Sequence, residues 1–150
     1  MPQSLSRLIV HIVFSTKSRV PVIQKPFRDE LYAYVGGILR NQKSPVIKIG
    51  GTADHVHILC LLSKTLPLAK IVEQTKVNSS KWLKTLGPQF KGFHWQNGYG
   101  GFSVSESSLE SVAHYIDRQE EHHRKMTFQE EYLKLLERHG VGYDERYVWD

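Results

Sequence analysis

The chain has 150 residues, 40% of them apolar and 23% charged, enough for one compact domain with its own core. No run of about 18 or more apolar residues is present, which argues against a helical membrane span, and the N-terminal residues lack the basic and long apolar regions of a secretory signal. A single cysteine, Cys60, allows no intrachain disulfide and fits a reducing, cytoplasmic compartment. The formal net charge of +5 points to a polyanionic partner, and the charge is unevenly spread. Six lysines and one acid lie between Lys64 and Lys91, whereas seven acids and three bases lie between Glu106 and Glu131, so the surface has a direction.

Residues 8–14 read as a first strand, rich in Ile and Val, with His11 in its middle. A polar, basic turn follows. Pro26 starts a helix whose Phe27, Leu31, Tyr34, Val35 and Ile38 recur at helical spacing. Residues 46–49 form a second strand. The turn at 50–53 leads into Asp54-His55-Val56-His57 and the apolar run 58–62, a third strand. So short a turn favours antiparallel pairing. Pro67 opens a second long helix with a stripe of Leu68, Ile71, Val72, Thr75, Ser79, Trp82, Leu83 and Leu86, ended by Gly87-Pro88. Residues 93–104 predict a strand, a glycine-rich turn and a last strand portion.

The order is strand, helix, strand, strand, helix, strand. It predicts an α+β, ferredoxin-like (RRM-like) βαββαβ fold, with a four-stranded antiparallel sheet and both helices on one face. The strands read as apolar on both sides, so the second face requires a ligand or another chain. A third helix spans about 107–125, with a capping box of Ser107 and Glu110 and a stripe of Leu109, Val112, Ala113 and Ile116. Thr127 and Glu130 form a second capping box. It opens a fourth helix with Phe128, Tyr132, Leu135 and Leu136 on its stripe. The aromatic tail, residues 141–150, packs on its own domain or on a partner. There is no repeat, low-complexity segment or linker, so residues 1–150 form a single domain.

On a strand, His55 and His57 point to one face and Val56 to the other. Two imidazoles side by side are half of a divalent metal site, open to a third ligand. They fit equally well as two polar residues at a strand end. Tyr115, Gln119 and His122 are spaced by four and three, so they share one side of the third helix. Beside a metal, Tyr115 suits a nucleophile and the Gln119 carbonyl a ligand. The alternative is an interfacial aromatic and a solvent-facing amide.

The chain closely resembles the single-tyrosine (Y1) transposases of the IS200/IS605 type, within the HUH nucleases. The resemblance rests on His11-Ile12-Val13-Phe14-Ser15-Thr16-Lys17, Asp54-His55-Val56-His57-Ile58-Leu59, Trp95-Gln96-Asn97-Gly98-Tyr99, Phe102-Ser103-Val104-Ser105 and Tyr115-Ile116-Asp117-Arg118-Gln119-Glu120-Glu121-His122-His123. It implies that His55, His57 and Gln119 bind Mg²⁺ or Mn²⁺. It also implies that Tyr115 attacks a phosphodiester of single-stranded DNA, giving a 5′-phosphotyrosine and a free 3′-hydroxyl. A 3′-hydroxyl later reseals the strand, so no nucleotide cofactor is required, and no GxxxxGK pattern is present.

The resemblance further implies subterminal DNA hairpins as target and a homodimer whose active sites are completed in trans, with no membrane association. Candidate auxiliary residues are His122, Glu120 and His11. Candidate DNA contacts are Lys17, Arg19, Lys76, Lys81, Lys84 and Lys91, with Trp95 and Tyr99 as stacking groups. His123 reads as structural, and His94, His114 and His139 as surface or packing residues. Other readings are a non-catalytic single-strand-binding module, a domesticated nuclease that processes genomic repeats, and a metal hydrolase using water in place of Tyr115.

Overall fold

The computed structural model describes residues 2–150. Its sheet is built from β1 (Ile9–Ser15), β2 (Val46–Gly51), β3 (His55–Leu61) and β4 (Gly100–Val104) in the order β2-β3-β1-β4, every neighbour antiparallel. Helix α1 (Lys25–Asn41) follows β1, and α2 (Leu68–Leu83) follows β3. This is the ferredoxin-like arrangement that the element order predicts. Among the described residues no helix is long and apolar enough to cross a membrane.

Alternation sorts each strand onto two faces. Val10, Ile12 and Phe14 of β1 and Val56, Ile58 and Cys60 of β3 face α1 and α2. There they pack with Leu31, Val35, Leu39, Ile71, Val72 and Leu83. Each fully buried leucine or isoleucine contributes about 1.5–3 kcal/mol relative to exposure. Burial pushes the Cys60 thiol up to about 12, so it stays protonated and acts as a small apolar residue.

The opposite face does not wait for another chain; the C-terminal helices of this chain cover it. Helix α3 (Leu109–Asp117) lays Ile116 on Ile9 and Leu59. Helix α5 (Phe128–Arg138) lays Phe128, Tyr132, Leu135 and Leu136 on Val13 and Phe102. Between them Gln119–His122 forms a single helical turn, α4. The expected continuous helix over 107–125 is therefore broken at Arg118, whose backbone leaves helical geometry (φ −102°, ψ 24°).

The Ser107–Glu110 capping box does not form. Ser105, Ser107 and Ser108 bond to one another through their hydroxyls, and a 3₁₀ turn precedes α3. The Thr127–Glu130 box does form: the Glu130 amide donates to Thr127 Oγ1 at 3.2 Å, and the hydroxyl donates to the Glu130 carboxylate at 3.1 Å.

Residues 93–99 hold no strand beyond one isolated bridge, Thr16 to Trp95. Their backbone groups are used elsewhere. The Lys76 ammonium collects the carbonyl oxygens of Gln96, Asn97 and Gly98 at 2.7, 3.2 and 2.6 Å, and the Trp95 indole donates to Ser79 Oγ at 3.0 Å. The tail packs on its own domain. Val148 and Trp149 join the α5 cluster, and the Gly98 amide donates to the Asp150 carbonyl at 2.9 Å.

One glycine sets the height of α3 over the sheet. Gly50 pairs with His57, and a Cβ there would stand 2.3 Å from the Ile116 carbonyl oxygen. Gly50→Ala should push α3 outward. The overpacking is expected to cost about 1–3 kcal/mol, seen as a fall in Tm of several degrees in thermal unfolding, with Gly36→Ala neutral by comparison because nothing lies within 4 Å of its Cβ position.

Candidate metal and nucleophile site

The site stands on the C-terminal-helix face of β3. His55 and His57 are fully buried, opposite Ser15 and Val13 of β1. A neighbour fixes the outer nitrogen of each ring. His55 Nδ1 lies 2.8 Å from Asp54 Oδ1, with Thr52 Oγ1 at 3.0 Å. His57 Nδ1 lies 2.8 Å from His11 Nε2. Either ring nitrogen can carry the proton: Nε2–H donates to Glu131, whereas Nδ1–H held by these neighbours frees the Nε2 lone pair that a metal ligand needs.

The two Nε2 atoms converge on a carboxylate. Glu131, on α5 and 2% exposed, places Oε1 3.0 Å from His57 Nε2, 2.9 Å from His123 Nε2 and 3.5 Å from His55 Nε2. His123 is held in turn by its Nδ1, 2.7 Å from the Met126 carbonyl. One ligand atom from each of His55, His57, His123 and Glu131 lies within 4.8 Å of the others. Three imidazole nitrogens and a carboxylate oxygen in one buried cluster are a donor set that fits a divalent cation.

Tyr115 comes to the same carboxylate. Its hydroxyl donates to Glu131 Oε2. Gln119 also reaches it, with Nε2 donating to Glu131 Oε2 at 3.0 Å and Oε1 lying 2.9 Å from His55 Nε2. His122 Nε2 stands 3.5 Å from the Tyr115 hydroxyl. Tyr115, Gln119 and His122 therefore gather as their spacing predicts, although the helix breaks between the first two.

The electrostatics follow from burial and partners. Burial pushes the Glu131 carboxyl up, but hydrogen bonds from His123 and His57 and the nearby imidazoles outweigh it and hold the group ionised far below the usual range. Burial, followed by the Glu131 charge and hydrogen bond, pushes the Tyr115 phenol well above its ordinary value. Burial, then His57, lowers His11 to about 3, so His11 is neutral at every working pH. Burial also lowers His57, against the pull of Glu131.

Other expected residues stand elsewhere. Glu120, expected as an auxiliary or substitute ligand, turns away to pair with Arg28 and Lys25 of α1. The carboxylate that reaches the cluster is Glu131. Lys76 is committed to three carbonyls and lies beside the Phe14 and Tyr99 rings, 5.0 and 5.9 Å from their centroids. Its burial lowers the ammonium to about 8, so its cation locks a loop, and a phosphate contact would require it to leave those carbonyls. Trp95 is core, edge-on to Phe14 and Phe93, and offers no free face for stacking. Tyr99 is half-buried in the same corner. Arg19 lies over the Trp149 ring at 5.6 Å. Lys17, Lys81, Lys84 and Lys91 are exposed and outside the cluster.

Sequence reasoning missed His123 and Glu131. One signal for Glu131 was present: with Phe128, Tyr132 and Leu135 it occupies the i, i+3, i+4, i+7 stripe of α5. An acid in a core position needs a buried partner.

A ferredoxin-like sheet that holds two imidazoles on one strand against a tyrosine-bearing helix defines the single-tyrosine class of HUH proteins. The family model "Transposase IS200 like" matches residues 4–119. The chain belongs to this IS200/IS605-type Y1 transposase family.

Two solved structures share the fold. One, described as a candidate transposase from Deinococcus radiodurans R1, superposes with a TM-score of 0.62 at 21% identity, covering 79% of this chain and 98% of that one. The other, a REP-associated tyrosine transposase bound to a REP hairpin, has a TM-score of 0.60 at 12% identity, covering 82% of this chain and 74% of that one. No curated protein sequence matches the chain.

The depressed imidazoles give a pH dependence with a definite sign. His11 binds a proton near its ordinary value, about 6.5, only when unfolded. Stability is therefore full above pH 6.5 and falls as pH drops toward 3. Urea midpoints measured across pH 6.5 to 4.5 should fall. His11→Phe should make that fall shallower by up to about 1.4 kcal/mol per pH unit.

Proposed function

We propose that this protein is a metal-dependent single-stranded DNA transposase that cuts and rejoins strands through a 5′-phosphotyrosine at Tyr115. One observation carries the reading. The Tyr115 hydroxyl bonds one oxygen of Glu131, and the other oxygen of the same carboxylate is where three imidazole nitrogens converge. A half-buried nucleophile beside a cation-binding donor set suits phosphodiester transesterification.

His55, His57, His123 and Glu131, with Gln119 adjacent, would hold the ion. When bound, it supplies positive charge to a non-bridging phosphate oxygen and to the leaving group. The rest of the chemistry falls to side chains. Tyr115 Oη, oriented by its hydrogen bond to Glu131 Oε2, attacks phosphorus while its proton passes to His122 Nε2, 3.5 Å away. The phosphorus–O3′ bond breaks and the 3′-oxygen takes up a proton from water, leaving DNA joined through its 5′-phosphate to the phenol. In the reverse sense a 3′-hydroxyl attacks that phosphotyrosine and gives its proton to water, and the departing phenolate takes its proton back from His122. His122 stands close enough to the hydroxyl to exchange protons with it.

Of the two ions expected, an imidazole-rich donor set favours Mn²⁺ over Mg²⁺, which prefers an all-oxygen shell. A hairpin-bearing strand is supported as ligand by the REP hairpin bound in the relative of the same fold. Mobile-element and repeat-processing enzymes share this chemistry and differ in the DNA that carries the hairpin. All the groups named here come from one chain.

Incubation with Mn²⁺ and a labelled hairpin-bearing single strand should give a covalent protein–DNA adduct that EDTA abolishes and Tyr115→Phe does not form. Cleavage retained in Tyr115→Phe would instead show water attack, and binding without cleavage a recognition module. In thermal unfolding, Mn²⁺ should raise Tm of the wild type, by about 2.7 kcal/mol of added stability at a hundredfold excess over Kd, and should leave His55→Ala and His57→Ala unshifted.

A further inference from the structure

A cavity of about 740 Å³ opens directly beside the Tyr115 phenol, between the end of β4, α3 and α5. That volume suits a nucleotide turned out of a strand and not a paired helix. Its floor is Tyr115 and Glu131. Ser103 and Ser111 line it from β4 and α3, and Lys134 and Arg138 line it from α5.

Three residues on this helix are placed by spacing. Glu131, Lys134 and Arg138 are three and four apart and share a face, so Arg138 lies about 10 Å along the axis from the buried carboxylate. The adjoining stripe, Phe128, Tyr132, Leu135 and Leu136, fastens the helix to the sheet. Lys134 and Arg138 are exposed, and among the described residues neither forms an ion pair. His139, stacked on Phe102 with centroids 4.4 Å apart, adds an exposed aromatic ring at the same rim.

We propose that this groove seats the nucleotide at the cleavage point, with Lys134 and Arg138 of α5 holding the phosphates beside it. The inference rests on the strand-transfer reading above and adds the path of the strand. Two cations and several hydroxyls lining one groove suit a phosphodiester backbone, whose contacts are mostly to such groups. The groove is lined by Tyr115, the phenol that the chemistry requires. Helix α5 lies beyond residues 4–119, so these contacts come from a part of the chain that the family model does not match.

The test is anisotropy of fluorescein-labelled oligothymidylate on the full chain with Mn²⁺, across a salt series, alongside adduct formation on the hairpin-bearing strand. Lys134→Gln and Arg138→Gln should each weaken binding several-fold. The double variant should lower the slope of log K against log salt by about 1.4, since each phosphate contact on a single strand contributes roughly 0.7. Lys134→Arg should restore binding. Arg40→Gln, exposed on the far helix layer, should leave the slope unchanged. An unchanged slope in the double variant, or an equal loss in Arg40→Gln, overturns the groove. The two readings fail separately. Wild-type adduct with an unchanged slope sinks the groove alone, whereas a reduced slope with no wild-type adduct sinks strand transfer and leaves a single-strand-binding groove.

Discussion

A carboxylate buried at 2% exposure must be paired on every side, and the pairing of Glu131 fixes the whole site. An isolated buried charge costs several kcal/mol. Here Oε1 faces the nitrogens of His57 and His123, and Oε2 takes hydrogens from Tyr115 and Gln119. The partners come from β3, α3, α4 and the segment before α5. Removing any one leaves the charge less compensated, so elements distant in sequence share a single electrostatic demand. That demand, more than apolar packing, explains why α5 turns an acid toward the sheet.

The same carboxylate links structure to reactivity. Its hydrogen bond holds the phenol neutral in the resting site and at the same time orients the phenol oxygen. Positioning runs outward through a second layer. Asp54 and Thr52 orient His55, and His11 orients His57 from the neighbouring strand. His11 does so as a neutral ring, because burial keeps it from protonating. Gly50 acts by absence, since only a missing Cβ lets the α3 backbone approach β2 closely enough for Tyr115 to reach its partner.

The charge asymmetry of the sequence takes on a spatial meaning. The lysines between 64 and 91 lie on or next to α2, on the sheet face away from the cluster, and one of them, Lys76, is consumed in holding the 96–98 loop. Five of the seven acids between 106 and 131 are spent on pairs within the chain: Glu106 with Arg7, Asp117 with Lys48, Glu120 with Arg28, Glu121 with Arg118, and Glu131 in the cluster. What is left beside the phenol is the cationic edge of α5. A count of charge along the chain cannot distinguish a lysine used as a clamp, as Lys76 is, from one left exposed, as Lys81 and Lys84 are.

The sequence by itself determined whatever depends on short-range periodicity. Alternation put His55 and His57 on one face, helical spacing put Tyr115, Gln119 and His122 on one side, and the element order set the sheet. Only the tertiary structure decided which surfaces those faces meet. His57 and Glu131 lie 74 residues apart and are joined by no local pattern. His123 reads as packing until α5 folds back over β3. The break at Arg118, the cover on the second sheet face and the internal use of Lys76 and Trp95 were likewise settled by long-range contacts. Periodicity fixes the direction of a side chain relative to its own backbone, whereas the partner for a buried charge is chosen by the packing of elements that the local sequence does not encode.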